Sequence, residues 1–263
     1  MSFLSPEINV LEKICNKVSK VIIRDFGEIE KLQVSRKGPG DFVTKTDKKV
    51  EKIIIEELEK ARPDYGFIAE ETGENKANNS EYNWIIDPID GTSNFMHGIP
   101  HFAISIALEK KDEIIAGIIF DPIKNESFYA EKGRGAYLNN RRIRVSKRKN
   151  LDEAIGLYGC PPITIVEENK IFDQLKTASK KIHKLRNYGS AALDFAYVAA
   201  GRADFAWYDH LNYWDYAAGK IILLEAGGTI TNFKGKEFNK KERETFISNS
   251  IVHEEVLKIL FNN

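Results

Sequence analysis

Apolar side chains recur every three or four positions through Ile8, Leu11, Ile14, Val18 and Ile22, behind a Ser5-Pro6-Glu7 start in which serine can cap and proline can open the first turn. That spacing predicts an amphipathic helix. A second one follows Thr44-Lys45-Thr46-Asp47, with Val50, Ile53, Ile54, Leu58 and Ala61 on one face. "GFIAEE" (66–71) reads as a short strand running out into two glutamates, and "NKANNSEY" (75–82) as a polar loop leading to the strand "NWIID". From Phe102 to Glu131 three apolar runs, "FAISIALEK", "EIIAGIIFD" and "ESFYAEK", are parted by charged or Pro-Lys-Asn turns, which predicts an antiparallel meander.

Beyond residue 150 the texture alternates. "AIGLYG", "ADFAW" and "ETFISNS" read as strands, and 166–181, 190–200, 214–226 and the C-terminus as helices, the third ended by Gly227-Gly228. Alternation of this kind predicts a mixed or parallel α/β sheet after a largely antiparallel α+β half. No linker rich in Pro or Gly separates the halves, so 1–150 and 151–263 are expected to be subdomains sharing one interface.

Charge adds little. The 39 basic and 39 acidic side chains cancel, so no whole-molecule field argues for nucleic acid or membrane. The basic run from Arg141 to Lys149 is read first as a solvated hairpin and loop, and second as a surface for RNA or an anionic partner. No apolar run approaches the ~20 residues of a membrane span, which with the reducing-compartment pattern of two isolated cysteines predicts a soluble, cytoplasmic chain. Cys15 and Cys160 are expected to be ordinary buried thiols.

The chemistry gathers in "WIIDPIDGTSNF" (84–95). Asp87 closes an apolar strand, Pro88 is expected to stop the ladder, and Asp90 stands at the turn into Gly91-Thr92. Two like charges ~4 Å apart repel by ~4 kcal/mol at an effective dielectric of ~20, so the pair needs a proton or a cation between its members. Oxygen-only donors suit Mg²⁺ or a similar hard ion, and no His/Cys cluster competes for zinc. Gly91-Thr92-Ser93-Asn94 resembles a helix N-terminus suited to phosphate, with Gly91 allowing close approach. Spacing alone also admits a charged turn that merely caps a helix. Glu70-Glu71, at the end of another strand, and Asp215, at the start of "WDYAAGKIILLEAGG", are further carboxylates at element ends.

"DPIDGTSNF", with "FIAEE", "FVTKTD", "YWDYAAGKIILLEAGG", "YAEKGRGAYLNNRRIRVS" and "GSAALDFAYVAAGRAD", resembles the inositol monophosphatase family of Mg²⁺-dependent, lithium-sensitive phosphatases, in the family's order and over roughly residues 36–228. The resemblance implies a layered αβαβα sandwich, a homodimer, a small phosphomonoester substrate and two or three Mg²⁺ ions. By motif, Glu70, Asp87 and the Ile89 carbonyl match ligands of a first ion, and Asp87, Asp90 and Asp215 those of a second, with a third held near Glu70 through waters. Asp47 and Thr92 match the pair that orients the attacking water, with Glu70 assisting. Gly91 and Thr92 match the phosphate-binding backbone, while Ser190, Ala191 and Asp215 border the substrate. The implied reaction is in-line attack by water without a covalent intermediate.

Bland readings stand beside several of these. Glu71 is equally a solvated neighbour of Glu70, Asp47 an acid favoured at any helix start, and His97 and His101 loop or supporting residues rather than bases. Two positions depart from the inositol-acting pattern: Tyr208 stands where a glutamate commonly contacts substrate hydroxyls, with Asp209 beside it, and Arg36 stands where a lysine is usual. Both bear on which alcohol is bound. The family also includes phosphatases for fructose 1,6-bisphosphate, histidinol phosphate, NADP and 3′-phosphoadenosine 5′-phosphate, and some bacterial relatives associate with transcription or RNA processing.

Overall fold

The structure, a computed structural model, describes residues 5–28, 34–38, 41–75, 81–160, 170–240 and 244–261. Helix α1 (Pro6–Phe26) begins where the chain supplies a cap: Ser5 Oγ accepts the Ile8 N–H at 3.2 Å and Pro6 sits in the first turn. A hairpin, β1 (Val34–Gly38) and β2 (Asp41–Thr44), leads into α2 (Lys45–Ala61). Ile8, Leu11, Ile14, Val18 and Ile22 of α1 and Val50, Ile54 and Leu58 of α2 are buried in one cluster. The side chains of Arg36 and Lys37, residues 76–80 of the polar loop and residues 166–169 of the helix expected over 166–181 lie outside what is described.

The first sheet is built from β3 (Gly66–Ala69), β4 (Gly73–Asn75), β5 (Tyr82–Asp90), β6 (Ala103–Lys110), β7 (Glu113–Asp121), β8 (Glu126–Glu131), β9 (Gly135–Leu138) and β10 (Arg141–Ile143). Its order is β10-β9-β8-β7-β6-β5-β3-β4, antiparallel except where β3 runs parallel to β5. Period-two alternation sends Trp84, Ile86, Ile104 and Ile106 into the α1/α2 cluster and Ile85, Ala103, Ala107 and Ile119 into a second cluster on the opposite face. Helices therefore cover both faces, which is why β5 and β6 read as continuous apolar runs.

After α3 (Thr92–Met96) and the meander, the chain forms β11 (Ile155–Tyr158), α4 (Lys170–Ala178), β12 (Lys184–Arg186), α5 (Ala191–Ala199), β13 (Phe205–Tyr208), α6 (Tyr213–Glu225), β14 (Thr229–Thr231), β15 (Thr245–Ser248) and α7 (His253–Leu260). The second sheet, β12-β11-β13-β15-β14, is mixed: β11 pairs in parallel with β12 and β13, and β15 antiparallel with β13 and β14. Helices α5 and α6 fill the layer between the sheets, and residues of α4 and α7 pack with Phe205, Trp207 and Phe246 beyond the second. The result is the expected αβαβα sandwich. Its middle layer is close: a Cβ on Gly117 of β7 would lie 2.9 Å from Ala218 Cα, and one on Gly219 2.5 Å from Phe195 Cβ.

The ladder does not stop at Pro88, contrary to the sequence reading. Strand β5 continues to Asp90 because one extra residue is accommodated between the Asp87–Ser105 and Asp90–Ala103 pairs, a bulge that lets proline sit where no N–H is required. Strands β4, β12 and β14 were not anticipated; each is three residues long and has no fully buried side chain, so the apolar alternation that marks a strand is absent.

Candidate active site

Three chain reversals deliver the carboxylates. Glu70 follows β3 directly, its N–H donating to Ile86 O at 3.1 Å, so it stands beside the end of β5. Asp87 and Asp90 flank the bulge, and the Ile89 N–H turns back to Asp87 Oδ1 at 3.0 Å. Gly91 has φ +97, a backbone that favours glycine, and a Cβ there would meet Gly189 O at 3.1 Å and both His101 O and Phe102 Cβ at 3.2 Å. The glycine is thus required by the turn and by its protein neighbours, in addition to any approach by a phosphate. From the other side, Asp215 enters at the third position of α6 in a capping box with Asn212, whose N–H reaches its Oδ2 at 2.7 Å.

Asp47 is fully buried and serves two functions at once. It closes the capping box of α2, accepting the Thr44 N–H at 2.9 Å and the Thr44 hydroxyl, while its Oδ1 accepts the Thr92 hydroxyl at 3.1 Å. Asp47 is thus at once the acid of a helix start and the hydrogen-bond partner of Thr92. Thr92 Oγ1 also lies 3.1 Å from Ile89 O, but its single proton makes the stronger, charge-assisted bond to the carboxylate.

The electrostatics are those of crowded like charges. Asp87 is 2% exposed, and burial, followed by Glu70, Asp90 and Asp215, holds its carboxyl well above the usual range. Burial also raises Asp90, to about 6, against the pull of donors on α5: the Ser190 hydroxyl and the Ala192 N–H, the latter at 2.9 Å, both bond its Oδ2, and the Ala191 N–H contributes. Ser190, read as a pocket residue, is therefore the N-cap of α5 and a partner of Asp90, with Ala191 in the same cradle. Among the described residues no three His, Cys, Asp or Glu side chains stand in ligating geometry about one point; Asp90 and Asp215 each give one oxygen to a backbone donor.

Tyr208 ends β13 and is buried; its hydroxyl donates to Asp194 of α5, whose other oxygen, Oδ1, is buried without a hydrogen-bond partner. Asp209 is exposed and pairs with His210 at 2.7 Å. His97 is exposed, its Nδ1 2.7 Å from Ser93 O; His101 packs against Tyr188 and Tyr197, and burial lowers it to about 4, leaving it neutral. The Glu71 N–H is held by Glu51. Cys15 is buried as expected, but Cys160 is exposed, in the loop after β11, where the Asn187 amide donates to its sulfur at 3.5 Å. In the basic run Arg148 is spent on buried Asp204, and Arg142 lies where a Cβ on Gly135 would touch it at 3.0 Å.

Three supporting residues escaped the sequence reading. Asp194 had a visible signal, a lone acid in "SAALDFAYVAA"; Glu51 had another, an acid one helical turn after Asp47. Asn94, which joins His101 O at 2.8 Å to Tyr188 O at 2.7 Å, had none.

The model of the inositol monophosphatase family matches residues 4–262. The inositol-1-monophosphatase of Rhizobium meliloti (strain 1021) is 48% identical over 228 residues, 87% of this chain and 86% of that one. A Thermotoga maritima protein named fructose-1,6-bisphosphatase/inositol-1-monophosphatase is 40% identical over 248 residues, 94% of this chain and 93% of that one. The crystal structure of extragenic suppressor protein suhB from Bartonella henselae superposes with TM-score 0.94 at 42% identity, covering 97% of this chain and 98% of that one. With the motifs in order and the layers in place, the chain belongs to the inositol monophosphatase family.

Proposed function

We propose that the protein is a Mg²⁺-dependent phosphomonoesterase that hydrolyses inositol 1-phosphate to inositol and phosphate. The observation that carries this is Asp87: a buried carboxyl group that accepts the Ile89 N–H and is crowded by Glu70, Asp90 and Asp215. Four carboxylates and a carbonyl make an oxygen-only donor set, which fits a hard divalent cation. Glu70, Asp87 and the Ile89 carbonyl would hold one ion, and Asp87, Asp90 and Asp215 a second. When bound, Mg²⁺ supplies a polarised water and neutralises charge on the phosphate and the departing alkoxide.

The chain's own residues do the rest. Asp47 accepts the hydrogen bond of the Thr92 hydroxyl, which leaves a lone pair of the Thr92 oxygen to accept from a water and turn that water's own lone pair toward phosphorus. The first-turn N–H groups of α3, which the helix itself does not use, would face the phosphate oxygens, with Gly91 making the turn. Ser190 and the α5 N–H groups favour the ionised form of Asp90 against the larger opposing effect of burial. Tyr208 shapes the pocket but commits its hydroxyl to Asp194, so a substrate hydroxyl would meet the tyrosine ring rather than a carboxylate. We therefore propose weak discrimination among small alcohol phosphates.

Two organisational readings go with this. The division near residue 150 separates subdomains within one unit, supported by a single apolar cluster containing Ile85 and Ala107 from one side and Leu157 and Ala206 from the other. A cytoplasmic homodimer is the assembly the family resemblance favours, and no described helix is long and apolar enough to cross a membrane.

Phosphate release from inositol 1-phosphate, glycerol 2-phosphate, fructose 1,6-bisphosphate and NADP, with Mg²⁺ and with excess chelator, tests the proposal. Expected is metal-dependent release from inositol 1-phosphate with substantial turnover of glycerol 2-phosphate. Full turnover in chelator would refute the metal requirement, and release from fructose 1,6-bisphosphate alone would replace the substrate.

A further inference from the structure

Helix α2 carries two buried carboxylates one turn apart, Asp47 and Glu51, and both are fully buried. Asp47 grips the turn after β5 through Thr92. Glu51 grips the turn after β3: its Oε2 accepts the Glu71 N–H at 2.8 Å and its Oε1 the Thr72 N–H at 2.9 Å. The Thr72 hydroxyl adds a further bond to the same carboxylate. Glu70 lies between these donors and its own N–H bond to Ile86 O at 3.1 Å. Its backbone is thereby fixed on both sides, to β5 before and to α2 after.

We infer that Glu51 is a positioning residue for Glu70, clamping the β3 turn to the helix that also holds Thr92, so that the carboxylates of the two strand ends meet at the spacing a divalent cation needs. This rests on the metal role proposed for Glu70. A buried, hydrogen-bonded carboxylate is an expensive way to close an exposed turn, since desolvation opposes its charge before its bonds are counted. Burial pushes the Glu51 carboxyl up, and the donors of Glu71 and Thr72 pull it back. A turn that needed only closure could use water; one that must hold a ligand rigidly gains from a bidentate acceptor, because partners that orient metal ligands typically govern 10–100-fold in affinity.

The test is Mn²⁺ titration of the full-length protein without substrate, by isothermal calorimetry and by loss of the free-ion electron paramagnetic resonance signal, in the parent, Glu51→Gln and Thr72→Val. Glutamine keeps the length but turns an amide N–H₂ toward one of the two N–H donors. Expected is a 10–100-fold weaker first Mn²⁺ for Glu51→Gln and a smaller loss of about 2–5-fold for Thr72→Val. Faster hydrogen exchange at the Glu71 and Thr72 amides should accompany both. At saturating Mg²⁺, KM for the phosphomonoester should stay within twofold of the parent, separating ligand placement from a damaged pocket. Thr72 is exposed, so its variant keeps the test available if Glu51→Gln does not fold. Faster amide exchange with Mn²⁺ affinity within twofold of the parent in both variants would overturn the inference, leaving Glu51 a loop clasp. A parent that binds no Mn²⁺ would overturn the metal assignment of Glu70 itself, a different result.

Discussion

Asp87 and Asp204 are both aspartates sealed from solvent, yet they are furnished in opposite ways. Asp204 accepts from Arg148 Nε at 2.8 and 3.0 Å, from the Ser146 hydroxyl and from the Ile155 N–H at 2.8 Å, and Asn249 ties Ser146 and the Arg148 carbonyl into the same knot. Asp87 has the Ile89 N–H and three carboxylate neighbours. A carboxylate that holds the fold together brings its cation and donors with it, whereas one left among like charges is held there by the fold for something that arrives. The two are opposite uses of the same residue.

The contrast breaks most visibly on substitution of Asp87. Asp87→Asn removes a ligand and a repulsive charge together, so kcat with Mg²⁺ should fall on the order of 10²–10³-fold while the melting temperature in chelator stays level or rises. A large drop in that melting temperature would make Asp87 another Asp204. Asp204→Asn should do the reverse: about 2–3 kcal/mol of stability lost, because the Arg148 charge is left without its partner, with the head group's partial exposure softening the penalty. Its kcat per folded molecule should match the parent in the same assay.

A pH series sharpens the comparison. Asp90 holds its proton up to about 6 when folded, against about 3.9 in an unfolded chain, so the folded state binds the extra proton between those values. Its contribution is complete below about pH 4 and lost as pH rises through about 6, and raised Asp87 acts in the same direction. In chelator the stability difference between parent and Asp90→Asn should therefore shift against the parent over that window, by on the order of 2 kcal/mol, and Mg²⁺ should reverse the shift above it. Parallel curves would remove the crowding argument. The smallest effect concerns Tyr208: Tyr208→Phe should cost about 1 kcal/mol by chemical denaturation, through the lost bond to Asp194, with little change in metal dependence. Tyr208→Glu should fold well only with Asp194→Asn, and that double variant should raise kcat/KM for inositol 1-phosphate over glycerol 2-phosphate; an unchanged ratio would show that position 208 does not read the alcohol.

Much of this site was legible because its chemistry is local in sequence. Asp87, Pro88, Ile89, Asp90, Gly91 and Thr92 fall within one turn, and Glu70 and Asp215 stand at element ends whose periodicity is strong. The layered fold was legible for the same reason, since both faces of β5 and β6 and the single face of α1 are written in apolar spacing. What stayed hidden joins residues far apart. Asp90 rests on Ser190 a hundred positions away, and the Tyr208 hydroxyl reaches Asp194 because α5 packs against β13. The passage of β5 through Pro88 depends on a bulge opposite β6, which no property of the proline itself announces.

Crowded as they are, the carboxylates around Asp87 should share their space with a proton until a cation displaces it. Mixing the metal-free protein with saturating Mg²⁺ in weak buffer at pH 6 tests this directly by the protons released. Release should be on the order of one proton per chain, diminishing toward higher pH and much reduced in Asp87→Asn. Binding of Mg²⁺ with no proton release at pH 6 would contradict it.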